Sequence, residues 1–271
     1  MSGITRITSR DNRRLTDARK VRDGKQPERI FIEGTRLAEE AVRSGSLVTD
    51  CIVSVSYLEN GRGANLIAEL AEKKVPIIET SDQLFLSLAD TVNPQGLILI
   101  AQRPETGKQR LAEGALAGSF VFLHETNDPS NLGAVLRTAE AAGVAGILLS
   151  VGSADAFSPK ALRAAMGSSF RLPIWDHVKF SDGVTWAHQN DIQVIAADIS
   201  GDRSYVEIDW LRQSMVIFGS EANGLGTKEL AEAHEIIRIP MQRDVDSLNL
   251  AVSSGIILFE AARQRSYTAG Y

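Results

Sequence analysis

Phe122-Leu-His-Glu-Thr-Asn-Asp-Pro-Ser-Asn-Leu-Gly-Ala-Val-Leu-Arg137 opens as an apolar strand, breaks at Asp128-Pro129 and resumes with apolar residues at helical spacing. A strand that feeds a helix through a short polar turn is the unit of α/β folds. The pattern repeats on both sides. Strands are predicted at Phe120 to Leu123, Gly146 to Ser150, Ile192 to Ala196, Val216 to Phe218 and Ile236 to Ile239, with helices at Leu132 to Ala142, Ser158 to Met166 and Leu248 to Arg263. Toward the N-terminus, strands at Ile30 to Ile32, Cys51 to Val55, Val75 to Ile78 and Gly96 to Ala101 alternate with helices at Thr35 to Arg43, near Ala64 to Lys74, and opening at Ser81-Asp82. Such spacing implies crossover connections on largely parallel sheets. Between Gln102 and Gln109 no large apolar side chain occurs, which predicts two α/β domains, 1–105 and 115–271, with a linker at 106–114.

The 271 residues, 44% hydrophobic and 23% charged with 22 glycines and 8 prolines, exclude fibrous and wholly disordered classes. No apolar run reaches the roughly 18 residues of a membrane helix, and Met1 to Arg10 has no hydrophobic stretch like that of a signal peptide. A single cysteine, Cys51, cannot form an internal disulfide, which points to the cytosol. The four histidines, His124, His177, His188 and His234, are scattered without the spacing of metal ligands, so no metal is expected.

The net charge of -5 conceals an asymmetry. Residues 1–30 hold nine Lys or Arg against four acids, so that segment is +5 and the rest is -10. A basic arm of this kind can find phosphates, with Arg6, Arg10, Arg13, Arg14 and Lys20 as candidate contacts; a solvated helix face of alternating charge is the competing reading. If the segment is an arm, removing residues 1–25 should weaken nucleic-acid binding and leave the rest intact.

Three segments place polar residues and glycines directly after a strand, where open α/β sheets build ligand sites. In the first, Asn131 or Ser130 can cap the helix, and Asn131 and Arg137, six residues apart, can both border one crevice. The second, Val216-Ile-Phe-Gly-Ser-Glu-Ala-Asn-Gly-Leu-Gly226, puts one acid, Glu221, among three glycines, with neither a Walker A lysine nor a dinucleotide glycine spacing. In the third, a strand stops at Pro240, and Ser247-Leu248-Asn249 opens a long helix that Asp246 or Ser247 can cap. The small, apolar surface of that helix suits burial or docking on a second subunit.

In order and spacing, Asn127 to Ala139, Phe218 to Gly226, and Ile239-Pro-Met241 with Ser247 to Ser253 resemble the motifs of the SpoU (TrmH) family of RNA ribose 2'-O-methyltransferases, of the SPOUT class. Ser158 to Ala164, Asn93 to Gly96 and Ile32-Glu-Gly-Thr-Arg36 are lesser matches, so the resemblance covers nearly the whole chain. His124-Glu125 and Leu250 depart from the common pattern without touching a motif role.

The resemblance implies an N-terminal α/β sandwich like ribosomal proteins that bind kinked RNA, and a C-terminal α/β domain with a deep trefoil knot. It implies S-adenosyl-L-methionine as cofactor, held around Gly219, Ile239, Met241 and Leu248, and a catalytic set of Arg137 with Asn131, Glu221, Ser247 and Asn249. It also implies an RNA substrate, ribosomal RNA ahead of transfer RNA, and a cytoplasmic homodimer joined through the C-terminal domain. A noncatalytic RNA-binding or ribosome-assembly protein on the same fold is the alternative. The hydroxyl must lose a proton as it attacks, and a guanidinium cation has no lone pair to accept it. Either the site depresses the arginine's pKa, or Arg137 positions phosphate and hydroxyl while the proton leaves elsewhere.

Overall fold

A computed structural model describes residues 4–61, 63–113, 118–242 and 247–268. The chain divides into two compact units, Met1–Pro104 with Phe157–Phe170, and Glu105–Ala156 with Arg171–Tyr271.

The first unit contains β1 (Thr5–Arg6), α1 (Arg13–Arg22), β2 (Arg29–Glu33), α2 (Thr35–Arg43), β3 (Val48–Ser54), α3 (Val55–Glu59), α4 (Ala64–Glu72), β4 (Ile77–Thr80), α5 (Asp82–Leu86) and β5 (Leu97–Gln102). α2 ends as its sequence requires: Gly45 takes φ +78°, and Ser46 N–H reaches back to Ala41 O at 3.0 Å. The sheet order is β1-β4-β3-β5-β2. β3, β4 and β1 are mutually parallel, whereas β5 runs antiparallel to both β3 and β2, so the expected largely parallel sheet is a mixed one. Side-chain periodicity fixes which face a strand buries but not the direction of its neighbour.

The basic segment is not a free arm. β1 extends the sheet edge beside β4, and Leu15, Ala18 and Val21 of α1 are buried with Phe31, Ile52, Ile78 and Phe85. Arg22 donates to Leu88 O and Ala89 O, and Arg29 pairs with Asp50 at 3.1 Å. Burial, then the nearby Arg10 and Arg22, press the Arg19 guanidinium below its usual value while it donates to Arg10 O.

The second unit begins with α6 (Lys108–Glu113), so two thirds of the expected linker is helical; Leu111 is buried in this unit's core, and Gly114 lies outside the described residues. Then follow β6 (Ser119–Leu123), α7 (Pro129–Ala141), β7 (Gly146–Ser150), α8 (Pro159–Ala165), α9 (Ser168–Arg171), β8 (Ile174–Val178), α10 (Phe180–Gln189), β9 (Gln193–Ala197), β10 (Arg203–Ser204), β11 (Ser214–Phe218), α11 (Thr227–Ala231), β12 (Glu235–Arg238) and α12 (Leu250–Thr268). α8 and most of α9 belong to the first unit, where the Arg163 guanidinium meets Asp90 at 2.7 Å. Seven strands form a wholly parallel sheet in the order β10-β12-β9-β11-β6-β7-β8. β6, β7 and β11 are buried at every residue and read as the continuous apolar runs that the middle of such a sheet requires. The buried hydroxyls of Ser119 and Ser214 pair at 3.1 Å where β6 and β11 begin side by side.

Candidate active site

Sequence order reverses at β6: β7 and β8 lie to one side, while β11, β9 and β12 lie to the other. A switch point of this kind leaves a crevice at the carboxyl ends of the strands. Here it holds a cavity of about 610 Å³ lined by Asn131, the turn after β9, the loop after β11, the end of β12 and the residues leading into α12.

Asp128 Oδ1 accepts the Ser130 N–H at 2.7 Å, so Asp128, rather than Asn131 or Ser130, caps α7. That leaves the Asn131 amide free to join other loops. Its Nδ2 donates to Glu221 Oε1 at 2.7 Å, and its Oδ1 accepts from Asn249 Nδ2 at 3.0 Å. A carboxylate only accepts, which fixes the orientation of the Asn131 amide and hands its oxygen to Asn249. Asn249 Oδ1 accepts the N–H groups of Ala251 at 2.9 Å and Val252 at 3.4 Å, so it takes the capping role expected of Ser247 or Asp246; Asp246 lies outside the described residues. Two hydrogen bonds thus join segments separated by 90 and 118 residues.

The loop after β11 folds on itself. Gly224 N–H reaches Ser220 O at 2.9 Å, and a Cβ at Gly219 would stand 2.2 Å from the Gly224 carbonyl carbon. Glycine at 219 therefore serves the loop's own backbone, besides lining the cavity.

Of the residues singled out from the sequence, Asn131, Gly219, Glu221, Ile239, Met241, Ser247, Leu248 and Asn249 all line this cavity. Arg137 does not: it is exposed on α7, turned about 120° around the helix from Asn131. Among the described residues no ion pair holds its guanidinium. In the first unit, exposed Arg6, Arg14 and Lys20 stand 3.4, 3.9 and 3.9 Å from Glu79, Asp50 and Asp17, while Arg10 and Arg13 are exposed without such a partner among the described residues.

Ala197, Asp198 and Ile199, outside the three polar segments, line the wall after β9. The signal was present: Asp198-Ile-Ser-Gly201 follows an apolar strand directly, as the three selected segments do.

Residues 118–259, which carry every one of these loops, match the SpoU rRNA methylase family. The chain belongs to that family. Residues 10–99 match the MRM3-like substrate binding domain. The SpoU chain is 32% identical over 267 residues to an uncharacterized tRNA/rRNA methyltransferase of Synechocystis sp., covering 97% of this chain and 96% of the relative. It is 27% identical over 259 residues to the 23S rRNA (guanosine(2553)-2'-O)-methyltransferase RlmP of Bacillus subtilis, covering 94% and 98%. The crystal structure of an AdoMet-bound rRNA methyltransferase from Sinorhizobium meliloti matches with a TM-score of 0.83 at 28% identity, over 96% of this chain and 98% of that one.

The cavity suits S-adenosylmethionine, which joins an adenine to a charged methionine moiety. Its volume falls within the range of about 300–1,000 Å³ usual for such ligands. Phe218, Ile237, Ile239 and Leu250 supply apolar wall, and Asp198, Glu221 and Arg238 supply charged groups along it. Among the described residues no cluster of three or more His, Cys, Asp or Glu is placed to hold a metal ion, and no helix is long and apolar enough to cross a membrane.

Proposed function

We infer that this SpoU chain transfers a methyl group from S-adenosylmethionine to a ribose 2'-hydroxyl of ribosomal RNA. The observation that carries the reading is the Glu221-Asn131-Asn249 bridge on the wall of the switch-point cavity. The cofactor supplies an electrophilic methyl on a sulfonium. Gly219, Ile239, Met241 and Leu248 hold it, within the deep trefoil knot that SPOUT proteins form. Asn131, Glu221, Ser247 and Asn249 orient the acceptor hydroxyl, the hydrogen bonds of Asn131 to Glu221 and Asn249 fixing the edge against which the ribose lies. Arg137, exposed and unpaired among the described residues, holds the RNA phosphate beside that ribose and donates to the hydroxyl oxygen, while the proton leaves to another acceptor.

The N-terminal domain, residues 1–105, selects the RNA, and Arg6, Arg10, Arg13, Arg14 and Lys20 position its backbone without reading sequence. The protein works in the cytoplasm as a homodimer joined through α12. Val252 and Phe259, seven residues apart on one helix face, are each about half exposed, whereas Ile257, Leu258 and Ala261 are buried.

The test is transfer of labelled methyl from S-adenosylmethionine to ribosomal RNA by the purified chain, followed by alkaline hydrolysis. A 2'-O-methyl group blocks cleavage at its own phosphodiester, so label is expected in alkali-resistant dinucleotides. Label released as mononucleotides would assign base methylation instead, and a folded chain that binds RNA but no cofactor would be a noncatalytic binder.

A further inference from the structure

We propose that Asp198 is a cofactor-binding residue, whose outer carboxylate oxygen accepts hydrogen bonds from the ribose hydroxyls of the nucleoside half of the methyl donor. The proposal rests on the cofactor reading above.

The turn that carries Asp198 is built rigidly. Asp198 N–H donates to Ile237 O at 2.9 Å, and Asp198 Oδ1 accepts from both Ser200 N–H at 2.9 Å and Ser200 Oγ at 2.7 Å. The Arg238 guanidinium donates to Gly201 O at 2.7 Å, closing the far side of the turn. Gly201 permits this approach: a Cβ there would stand 2.7 Å from the Ile237 carbonyl carbon. With Oδ1 committed twice to its own turn, Oδ2 remains as the acceptor beside the cavity. At Gly224, across from it, a side chain would begin 3.5 Å from Oδ2, so glycine leaves that oxygen's approach open.

The electrostatics of this wall select the donor type. Among the described lining residues the charged groups are Asp198, Glu221 and Arg238. Arg238 stands on the same wall as Asp198 and braces the same turn, so an ammonium group brought to Asp198 would meet a guanidinium close by. Neutral hydroxyls meet no such repulsion, and their bonds to a carboxylate are short and charge-assisted. Glu221 has no cation among the lining residues beside it, and it is engaged by the Asn131 amide instead. The two carboxylates thus divide the cavity: Glu221 belongs to the edge where the acceptor lies, and Asp198 to the wall that holds the donor's sugar.

The experiment is calorimetric binding of three probes, S-adenosylmethionine, S-adenosylhomocysteine and 5'-methylthioadenosine, to the full chain and to Asp198→Asn. Asparagine keeps an Oδ1 acceptor for Ser200 and replaces Oδ2 with a donor, so the turn survives, which an unchanged melting temperature verifies. Affinity is expected to fall about tenfold or more for all three probes alike, since a hydrogen bond to a charged group has roughly that value. Loss confined to the two probes that carry the amino-acid moiety would overturn the sugar assignment in favour of the ammonium group. Unchanged affinity for all three would remove Asp198 from the site. If the unaltered chain binds none of the probes, the cofactor reading itself has failed, a result separate from the other two.

Discussion

The two sheets of this chain end their strands in polar loops, but those loops dispose of their polar groups differently. In the first unit they close on near neighbours in space and stay there. The buried Glu33 carboxylate at the end of β2 accepts from the N–H groups of Asp90 at 2.8 Å and Thr91 at 3.3 Å and from the Thr91 hydroxyl, and Gln95 Oε1 accepts the Thr35 N–H at 3.0 Å. In the second unit the loops stand around a cavity, and the Asn131 amide joins the loop after β11 to the start of α12. Polar groups satisfied within one loop cluster make a scaffold, because nothing remains for a ligand to replace. Polar groups that meet across a cavity keep capacity for a ligand and hold it in fixed geometry.

The difference can be broken most severely at Arg137. Arg137→Ala is expected to reduce methyl transfer roughly 100- to 1,000-fold, the usual effect of removing one donor to a developing oxyanion, with cofactor affinity unchanged. Single-turnover rates set beside calorimetry will separate the two, and full turnover would remove Arg137 from the reaction. Asn131→Asp attacks the bridge itself by setting a second carboxylate against Glu221. Like charges at that distance raise one of the two pKa values, so activity at neutral pH should fall about 10- to 100-fold and recover in part as the pH is lowered. A flat pH profile would show that the bridge carries no such coupling.

In the scaffold the corresponding change is Glu33→Gln. It should cost about 1.5 kcal/mol in urea unfolding and weaken RNA binding, while cofactor affinity stays level. Replacing Arg10, Arg13 and Lys20 together by Ala should lower the salt dependence of RNA binding by about 2 to 3 in log-log slope. This triple substitution is cleaner than truncation of residues 1–25, which would remove β1 and the buried face of α1. An unchanged slope would move the phosphate contacts elsewhere.

The smallest effect concerns Cys51, whose thiol is pushed up to about 12 by burial and then by the neighbouring Asp50 carboxylate. The unfolded thiol titrates near 8.5, so unfolding releases its proton at a lower pH than the native state does. Stability from this group is complete below about pH 8.5 and is lost progressively as the pH rises toward 12. Iodoacetamide at pH 8.5 should leave Cys51 unmodified in the native chain and alkylate it in urea; modification of the native chain would contradict the burial.

Much of the fold could be read from the sequence. α2, with its Ser44-Gly45 stop, and β7 fall where the pattern places them. β8 went unread because it is an edge strand with a register shift, His177 at φ +53°, and a half-exposed Ile-Trp-Asp-His-Val pattern instead of an apolar run. α10 went unread because Lys179, ahead of it, offers no capping side chain. Nothing in Ser158 to Met166 says which core Leu162 and Ala165 will enter, yet this segment belongs with the first unit.

By itself, then, the sequence determined the α/β class, most strand and helix positions, and the three loops whose motifs mark a SpoU protein. Those are local properties, set by side-chain period, capping and turn chemistry. Only the tertiary structure decided that β5 runs against its neighbours, that the basic segment is built into a core, and that Asp128 and Asn249 take the caps. It also decided that Asn131 bridges Glu221 and Asn249 while Arg137 stands outside the cavity. Those outcomes depend on which groups meet across tens of residues, and pairing at that range is settled by packing and by the need to satisfy every buried polar group.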